Sequence, residues 1–394
     1  MKICLDVTPV TTQPSGVGFY LLSLINELVR QQQAYEIDLF LTYQPRFTSW
    51  LRGAWEFPQQ LQSYAHRQVL PIPVRLSNWL LRDPTGLISA GVTHYLNSPD
   101  IVHGTNYSVY PTKVGHRIMT IYDVSFGLFP EYATSVSKAY FNQIQRCLIW
   151  TDLIITISES SKRDIVNCFK IPESRVWVTP LASRYAISVN TSETAKMSKQ
   201  RLEEFSRNRI SLDFNQPSLL FVGTLEPRKN INTLIESFNH LKSAYKIDHQ
   251  LLLVGRKGWL YEPILNAMGN SPYKNCIYHL DYVPEQLMRD LYRYASVFVY
   301  PSHYEGFGLP VLEAMSLGCP VVSSNTSSIP EIAGNAAMLV SPNDSEALAH
   351  TIYKLIDNPS LQDKYVQAGY QQANLFSWEK TAKSTLSAYH SLMS

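Results

Sequence analysis

The sequence predicts an α/β protein made of two Rossmann-like domains, each a doubly wound parallel sheet. Short apolar strands alternate with amphipathic helices through both halves of the chain, which is the pattern of parallel sheets covered by helices. The chain has 394 residues. That is more than one hydrophobic core usually supports, so we expect two domains of roughly 150–200 residues each.

Apolar, β-branched and aromatic runs mark the strands. In the first half they predict strands at Ile3–Val7, Ile37–Leu41, Ile101–His103, Arg117–Tyr122, Leu153–Ile157 and Val176–Thr179. In the second half they predict strands at Leu219–Gly223, Leu251–Gly255, Cys276–Leu280, Val297–Tyr300, Pro320–Ser323 and Met338–Val340.

A polar, charged segment at 186–215 separates these two halves and is expected to be an interdomain region that is partly helical. We therefore expect one domain at 1–185 and a second at 216–375. The final segment, 376–394, is expected to be a terminal helix.

Bulk composition excludes several classes of protein. A net charge of +2, with no Lys/Arg block between aromatic residues, disfavours nucleic-acid binding. The five cysteines are scattered and never in Cys-x-x-Cys spacing, so we expect reduced thiols with neither disulfides nor zinc. No run approaches the length of a membrane span, and the first residues predict a buried strand rather than a signal peptide. These features predict a cytoplasmic protein.

The segment from Val297 to Met315 joins an apolar strand, a glycine loop and the start of a helix. Pro310 suits the first helical position, where a missing N–H costs nothing. The amides just ahead of it are therefore available to oxyanions, and the glycines let a ligand approach the backbone. Glu305 and Glu313 lie on either side of this loop. They are expected to face one ligand, and the sequence predicts a site for phosphate or sugar hydroxyls.

A second loop, Gly223–Asn230, follows a predicted strand and precedes a helix with an apolar stripe. Arg228 and Lys229 place two cations against the positive end of that helix, where acidic residues are preferred. This local conflict indicates a bound anion, and a diphosphate would fit. The alternative is two solvated surface cations.

A third loop contains Gly16 and Gly18 ahead of an apolar helix. It differs from a dinucleotide fingerprint because Leu21 occupies the third glycine position of G-x-G-x-x-G and the preceding loop is long. A nicotinamide dehydrogenase is therefore disfavoured.

The string Y-E-G-F-G-L-P-V-L-E-A-M, with Glu305 and Glu313 in a Glu-x7-Glu pattern, closely resembles glycosyltransferase family 4. The resemblance extends over nearly the whole chain and implies the GT-B architecture, two Rossmann-like domains that face each other across a cleft. It implies that the first domain binds the acceptor and the second the nucleotide sugar. It also implies that the terminal helix at 376–394 crosses back to the first domain.

The resemblance also implies site residues. Glu305 is expected to act at the donor sugar together with Arg228 and Lys229, which would stabilise the departing diphosphate. Glu313 is expected at the ribose of the nucleotide. The remaining residues expected to bind the donor are Gly16, Gly18, Gly223, Val283, Gly306, Phe307, Gly308 and Leu309.

On the acceptor side, Tyr122 stands where the family commonly carries a histidine. A phenol is a poor general base at neutral pH, so a proton relay at this position is in doubt. Asp123 either positions an acceptor hydroxyl or caps a turn. His103 ends a predicted strand and is open to a functional or a structural interpretation.

No Asp-x-Asp triplet occurs in the chain, so we expect neither a metal site nor a cofactor. The donor is expected to be GDP-mannose, with UDP-glucose or a dTDP-sugar as alternatives. The acceptor is expected to be a saccharide or a lipid-linked saccharide.

The segment 43–90 is rich in tryptophan and arginine. It predicts either a partly buried loop region over the first sheet or a peripheral contact with an anionic inner membrane. Its tryptophans and arginines are Trp50, Trp55, Trp79, Arg46, Arg52, Arg67, Arg75 and Arg82, opposed by Glu56 and Asp83.

The sequence thus predicts a metal-independent, retaining glycosyltransferase that moves a hexose to a hydroxyl acceptor in bacterial glycan synthesis. Two other interpretations stay open. One is a regulator that binds a nucleotide sugar without turnover, and the other is an epimerase or phosphorylase on the same fold.

Overall fold

A computed structural model describes residues 1–11, 16–45, 47–53, 56–73, 87–113, 115–132, 135–187, 198–205, 212–213 and 215–393. Within it the chain divides into two compact units. The first unit consists of Met1–Leu181 and Trp378–Ser394, and the second of Ala182–Ser377. The expected interdomain positions 188–197, 206–211 and 214 lie outside the described residues, while 198–205 is helical.

The first unit contains a seven-stranded parallel sheet in the order β3-β2-β1-β4-β5-β6-β7. This is the strand order of a doubly wound sheet, extended by one strand. Its strands are β1 Lys2–Asp6, β2 Asp38–Tyr43, β3 Arg67–Val69, β4 Ile101–Gly104, β5 His116–Thr120, β6 Leu153–Thr156 and β7 Val176–Val178. Its helices up to β7 are α1 Gly16–Gln31, α2 Phe47–Leu51, α3 Leu87–Tyr95, α4 Ser125–Leu128, α5 Ser135–Cys147 and α6 Glu159–Phe169.

The second unit contains a six-stranded parallel sheet in the order β10-β9-β8-β11-β12-β13. Its strands are β8 Ser218–Val222, β9 Gln250–Val254, β10 Ile277–Leu280, β11 Val297–Tyr300, β12 Val321–Ser324 and β13 Met338–Val340. Its labelled helices are α7 Ile231–Ala244, α8 Glu262–Asn270, α9 Glu285–Tyr294, α10 Leu309–Ser316, α11 Ile329–Ala333, α12 Ser345–Ile356 and α13 Pro359–Ala373.

A terminal helix, α14 (Trp378–His390), belongs to the first unit and packs against α1. Its polar face is tied to the strand-end backbone, because Thr381 Oγ1 donates to the Pro180 carbonyl at 2.6 Å and Ser384 Oγ donates to the Val178 carbonyl at 3.1 Å. Its apolar face is buried, with Leu386 and Tyr389 inaccessible to solvent. The last helix thus completes the core of the first unit.

The predicted fold class is confirmed, since both sheets are parallel and covered by helices. All twelve predicted strands are present with bounds within two residues of those observed. The prediction of six strands in the first half was wrong, because β3 was missed. β3 spans only three residues and pairs with β2 alone, at the sheet edge. A short edge strand buries little surface and leaves little apolar pattern to detect.

Candidate functional site

The second sheet reverses its strand order between β8 and β11, which are hydrogen-bonded neighbours. In open α/β sheets, ligands bind beyond the carboxyl ends of the strands at such a switch point. The loops that follow these two strands are those whose sequences carry the glycines, cations and carboxylates, at 223–230 and 301–308. The topology therefore brings the two strongest sequence motifs to one edge of one sheet.

The loop after β11 enters its helix through a left-handed glycine. Gly308 has φ of +100° and is the N-cap of α10, which begins at Leu309, so Pro310 is the second helical residue, one position later than predicted. The positive φ of Gly308 favours glycine, and an added Cβ would also lie 2.7 Å from Ile329 Cδ1, the end of a buried side chain that would have to shift. Phe307 is buried and its ring meets Phe376 edge-on at 5.8 Å. The loop is thus fixed in shape.

The loop after β8 forms a 3₁₀ turn over Pro227–Lys229 and then enters α7 through Asn230, which is left-handed with φ of +56°. The Asn230 side-chain amide donates to the Pro301 carbonyl at 3.0 Å. The amide of His303 donates to the Arg228 carbonyl at 2.9 Å. These bonds join the two loops directly.

Four charged side chains meet where the loops join, and we call Glu226, Arg228, Lys229 and Glu305 the charge cluster. Lys229 Nζ donates to Glu305 Oε1 at 2.7 Å, and Arg228 Nη1 donates to Glu305 Oε2 at 3.2 Å. Arg228 Nη2 also donates to Glu226 Oε1 at 2.7 Å. The Lys229 ammonium makes a further 2.7 Å bond to the hydroxyl of Tyr300, the last residue of β11. The cluster therefore pairs two cations with two carboxylates.

Burial and charge act in opposite directions in this cluster. Burial alone would raise the pKa of Glu305, but Lys229 and Arg228 overcome it and lower that pKa to about 2. Burial raises the pKa of Glu226 and lowers the pKa of Lys229 despite their opposite-charge neighbours. Glu305 is therefore firmly ionised, whereas desolvation disfavours charge on both Glu226 and Lys229.

The cations at the start of α7 thus have counter-charges within the chain. Their sequence positions indicated repulsion with the helix macrodipole, from which an anion was inferred. Glu226 and Glu305 supply that negative charge, so the conflict is partly resolved without a ligand. Lys229 nevertheless keeps one of its three N–H donors beyond the two bonds that it makes within the described residues.

Glu305 is also held through its backbone. Its amide donates to Ser327 Oγ at 2.9 Å, and its carbonyl accepts from Ser328 Oγ at 2.9 Å. Both serines follow β12, the neighbour of β11. A third strand end therefore supports this site.

Glu313 lies in α10 and has a separate set of partners. It accepts from Arg184 Nε at 2.6 Å and Nη2 at 3.2 Å, and from the Tyr292 hydroxyl at 3.1 Å. Its hydrogen bonds within the described residues do not include any with Glu305. The two glutamates that the sequence placed before one ligand are thus held by different donors.

Sequence reasoning gave no role to four residues that bond the charged groups of this site: Glu226 and Tyr300 bond the two cations, and Arg184 and Tyr292 bond Glu313. Glu226 lies in the loop Gly223–Asn230 that the sequence analysis singled out. Its buried carboxylate forms an ion pair with the neighbouring Arg228. Tyr300 was assigned only as the end of a strand. Arg184 and Tyr292 left no signal, because they reach Glu313 from positions far away in sequence.

The remaining donor-side residues occupy the same edge of the second sheet or the start of α1. Gly223 directly follows β8, and a Cβ there would lie 3.2 Å from Phe221 Cζ. Val283 follows β10 and is buried. Gly306 lies within the loop before α10, and Leu309 is the first residue of that helix.

In the first unit, α1 begins at Gly16, and Gly18 is buried in its first turn. A Cβ on Gly16 would meet nothing within 4 Å. Residues 12–15 lie outside the described residues, so the structure gives no geometry for the chain just ahead of Gly16 and Gly18.

The residues predicted on the acceptor side are bonded within the first unit. Tyr122 is buried and donates to the Thr105 carbonyl at 2.6 Å, and burial raises its pKa well above the ordinary value. Asp123 Oδ1 accepts from the amide and hydroxyl of Ser125 at 3.0 and 2.8 Å. This is the turn-capping geometry that was the alternative interpretation of Asp123. A raised pKa leaves even less phenolate at neutral pH, so Tyr122 is less available as a general base than the sequence implied.

His103 lies in β4 and is inaccessible to solvent. One ring nitrogen lies 2.6 Å from the Tyr389 hydroxyl and the other 2.7 Å from Thr120 Oγ1. Burial lowers its pKa to about 3, so the ring is neutral. Both nitrogens are thus used to join β4, β5 and α14, which supports the structural interpretation.

Two further expectations concern sites elsewhere in the chain. Within the described residues, no group of three or more His, Cys, Asp or Glu side chains could hold a metal ion, and no helix is long and apolar enough to cross a membrane.

In the segment 43–90, Trp50 Nε1 donates to the Pro71 carbonyl at 2.9 Å. Several aromatic and basic residues of that segment lie outside the described residues, namely Arg46, Trp55, Arg75, Trp79 and Arg82.

Comparison with known proteins identifies the family. Residues 203–372 match the family model of glycosyl transferases group 1. The O-antigen chain mannosyltransferase B of Escherichia coli is 30% identical, over 99% of this chain and 99% of its own. Among solved structures, sucrose-phosphate synthase from Thermosynechococcus elongatus has a TM-score of 0.72 at 18% identity and covers 100% of this chain and 99% of its own. Anabaena Alr3699/HepE in complex with UDP-glucose has a TM-score of 0.70 at 15% identity, with 99% and 100% covered.

The structural neighbours share the fold of two doubly wound sheets. The relative from Escherichia coli is aligned over practically the whole chain. The chain therefore belongs to the glycosyl transferases group 1 family, glycosyltransferase family 4, and is a hexosyltransferase with the GT-B fold.

Proposed function

We propose that this enzyme is a metal-independent, retaining transferase that moves mannose from GDP-mannose to a hydroxyl group of a saccharide or lipid-linked saccharide. In this proposal the second unit binds the donor and the first binds the acceptor. The observation that carries it is the charge cluster, which lies at the switch point of the second sheet and in front of the glycine loop.

The cluster suits the departure of a nucleoside diphosphate. When the bond between the anomeric carbon and the diphosphate breaks, negative charge builds on the phosphate oxygens, and preorganised cations stabilise that charge. Arg228 and Lys229 are fixed in place by Glu305, Glu226 and Tyr300 before any substrate arrives. The amides of Gly306 to Leu309 would bind the sugar and phosphate oxygens beside them.

Glu305 then has two tasks. It orients both cations, and its ionised carboxylate can accept hydrogen bonds from hexose hydroxyls that reach the cluster. We propose that the acceptor oxygen attacks the face that the diphosphate leaves, while a departing phosphate oxygen takes the acceptor proton. Such a mechanism requires no side-chain base, which agrees with the buried, weakly acidic Tyr122 and the neutral, enclosed His103.

Metal independence rests on the sequence and the cluster together. The chain contains no Asp-x-Asp triplet, and the charge that a divalent ion would supply elsewhere can come from Arg228 and Lys229. Mannose is preferred because the relative aligned over the whole chain is an O-antigen chain mannosyltransferase. UDP-glucose is the second candidate donor, since a structural neighbour was solved with that molecule.

The test is a donor panel in the presence of EDTA. The purified protein is mixed with UDP-, GDP-, dTDP- and ADP-sugars, and slow release of the nucleoside diphosphate is measured together with the ligand-induced thermal shift. We expect GDP-mannose both to stabilise the protein and to be hydrolysed slowly. Stabilisation without turnover, even when saccharide acceptors are added, would favour a regulator. The absence of any response would overturn the proposal.

Variants separate the roles proposed for the two cations from that of Tyr122. Arg228→Ala and Lys229→Ala should lower turnover more than Tyr122→Phe, which removes only a buried hydroxyl that bonds to the Thr105 carbonyl. Equal or reversed losses in steady-state assays would contradict the roles assigned to the two cations.

A further inference from the structure

We propose that Asp6 binds the acceptor saccharide, and that its free carboxylate oxygen accepts a hydrogen bond from a sugar hydroxyl next to the one that reacts. The inference rests on the proposed function, in which the first unit binds the acceptor, and it names a residue of that site. Asp6 is the last residue of β1 and lies outside the glycine loops.

The first argument is the position of Asp6 in the sheet. The first sheet reverses its strand order between β1 and β4, which are hydrogen-bonded neighbours. Ligands of open α/β sheets bind beyond the carboxyl ends of the strands at such a switch point. Asp6 ends β1, and Thr105, directly after β4, donates from Oγ1 to the Asp6 carbonyl at 2.6 Å. Asp6 thus occupies the position in the first sheet that the charge cluster occupies in the second.

The second argument is the occupancy of the carboxylate. Oδ1 accepts two hydrogen bonds from Thr8, from the amide at 2.9 Å and from Oγ1 at 2.5 Å. Oδ2 accepts none from the part of the chain that the structure describes, and it is not among the fully enclosed polar atoms that lack a partner there. Asp6 as a whole is 9% exposed. Oδ2 therefore reaches the surface of a nearly buried residue, where an unbonded carboxylate oxygen is costly.

The third argument is the charge around this oxygen. Burial raises the pKa of Asp6 to about 6, although the bonds from Thr8 lower it. The titratable groups that face Asp6 are Cys4 in β1, Tyr110 after β4 and Tyr122 after β5. Burial, with the charge of Asp6 adding to it, raises the pKa of all three groups, so they are neutral near pH 7.

These surroundings favour a neutral hydrogen-bond donor as the ligand. The carboxylate repels anionic groups, and within the described ranges no group of three or more His, Cys, Asp or Glu side chains could hold a metal ion. A sugar hydroxyl supplies the missing donor without bringing a charge into a nearly buried site. In the proposed mechanism the reacting hydroxyl gives its proton to a departing phosphate oxygen. Asp6 therefore binds a neighbouring hydroxyl and selects acceptors that carry it.

The variant Asp6→Asn changes the free oxygen and little else. Its amide oxygen can still accept both bonds from Thr8, while the free position becomes an N–H donor. Asp213→Asn is the matched control in the second unit. Asp213 Oδ1 accepts from the amide and from Nδ2 of Asn215, both at 2.8 Å, in the same two-residue turn. Both variants remove one carboxylate charge from the same kind of turn.

The experiment measures GDP release from GDP-mannose with and without the methyl glycosides of mannose, glucose, galactose and N-acetylglucosamine. The glycoside that accelerates release most is then compared with its monodeoxy analogues. In the wild type and in Asp213→Asn, one deoxy analogue should have a KM about tenfold higher than the parent, the value of one hydrogen bond to a charged group. Asp6→Asn should raise the KM of the parent by about the same factor and reduce the effect of that deoxygenation to about twofold or less. Its release of GDP without an acceptor should stay within about twofold.

The pH dependence of the wild type gives a second measurement, which serves if Asp6→Asn does not fold. Below its pKa of about 6, Asp6 takes up a proton and the carboxylate acceptor is lost. The KM of the parent glycoside should therefore rise about tenfold between about pH 7 and about pH 5. In Asp6→Asn this rise should be absent.

The remaining outcomes overturn the inference in distinguishable ways. If glycosides accelerate release but Asp6→Asn keeps the wild-type KM, or if every deoxy analogue matches its parent in the wild type, Asp6 only caps a turn. An equal rise of KM in Asp213→Asn would show a general effect of lost charge. If GDP is released but no glycoside accelerates it, the saccharide site fails while donor cleavage stands. If no GDP is released, the proposed function fails with the inference.

Discussion

Acidification from about pH 7 to about pH 5 should destabilise the first unit through His103. Its ring is buried and bonded at both nitrogens, which lowers its pKa to about 3 from an ordinary value of 6.5. The unfolded chain takes up a proton on this ring as the pH falls through the ordinary value, whereas the folded chain does not. A lowered pKa in the folded state therefore contributes stability that is present above the ordinary value and is lost as the pH falls toward the folded value.

The size of the effect follows from the two pKa values. Between about pH 7 and about pH 5, proton linkage changes the logarithm of the unfolding equilibrium constant by ~1.4. This lowers the free energy of unfolding by about 2 kcal/mol. Buried Asp6, in the same unit, acts in the opposite direction because burial raises its pKa to about 6. Asp6 takes up a proton on folding in this pH range. On acidification it should therefore raise the free energy of unfolding by about 1 kcal/mol. The contributions of His103 and Asp6 therefore partly cancel, and a variant is needed to isolate that of His103.

The assay compares denaturant unfolding of the wild type and of His103→Gln at both pH values. Glutamine offers a donor and an acceptor to Tyr389 and Thr120 but does not titrate. The wild type should lose about 2 kcal/mol more than the variant on acidification, equivalent to about 5 °C in the melting temperature of a unit of this size. Equal losses in the two proteins would show that His103 titrates normally, and its structural assignment would then be wrong.

Two further predictions concern the second unit. Tyr300→Phe removes only the hydroxyl that bonds Lys229 Nζ, so kcat should fall about tenfold with the melting temperature little changed, and an unchanged kcat would show that this bond does not position the cation. Gly308→Ala forces a Cβ to within 2.7 Å of Ile329 at φ of +100° and should cost about 1–3 kcal/mol in the free energy of unfolding. Gly269→Ala, in the open helical environment of α8, serves as its control and should cost nothing, and similar losses in both variants would refute the strain argument.

The sequence predicted the parts of this fold that depend on local pattern. Strands such as Val297–Tyr300 are apolar runs bounded by a proline, and α10 has a left-handed glycine as its N-cap and a proline in its first turn. These signals are carried by neighbouring residues. β3 was missed because Arg67, Gln68 and Val69 form a short edge strand whose pairing with β2 depends on tertiary context.

In the candidate site too, the sequence indicated the residues that belong to local motifs and not their partners. Arg228, Lys229 and Glu305 were found because their loops carry dense local motifs, and the topology brings those loops together. Their conflict with the helix macrodipole was interpreted as evidence for an anion, but Glu226 and Glu305 supply much of the charge. This pairing depends on the adjacency of β8 and β11, which a linear pattern does not encode.

The partners of Glu313 and His103 illustrate the limit. Arg184 and Tyr292 meet Glu313 from separate segments, and Tyr389 reaches His103 from the last helix. A histidine at a strand end is compatible with a site or with a core, and only its hydrogen-bond partners and burial decide between them. Contacts at long sequence separation were therefore the part that sequence reasoning could not supply.

The most direct test of the account is the rate of GDP release from GDP-mannose, in EDTA, by the wild type and by Lys229→Gln. Lys364→Gln, an exposed position in α13 of the same unit, is the control for loss of a lysine charge. The account predicts metal-independent release by the wild type and the control. It predicts a loss of about a hundredfold or more in Lys229→Gln, since one preorganised donor at developing charge is removed. Equal rates in all three proteins, or release that requires a divalent ion, would contradict the claim that the charge cluster drives departure of the diphosphate.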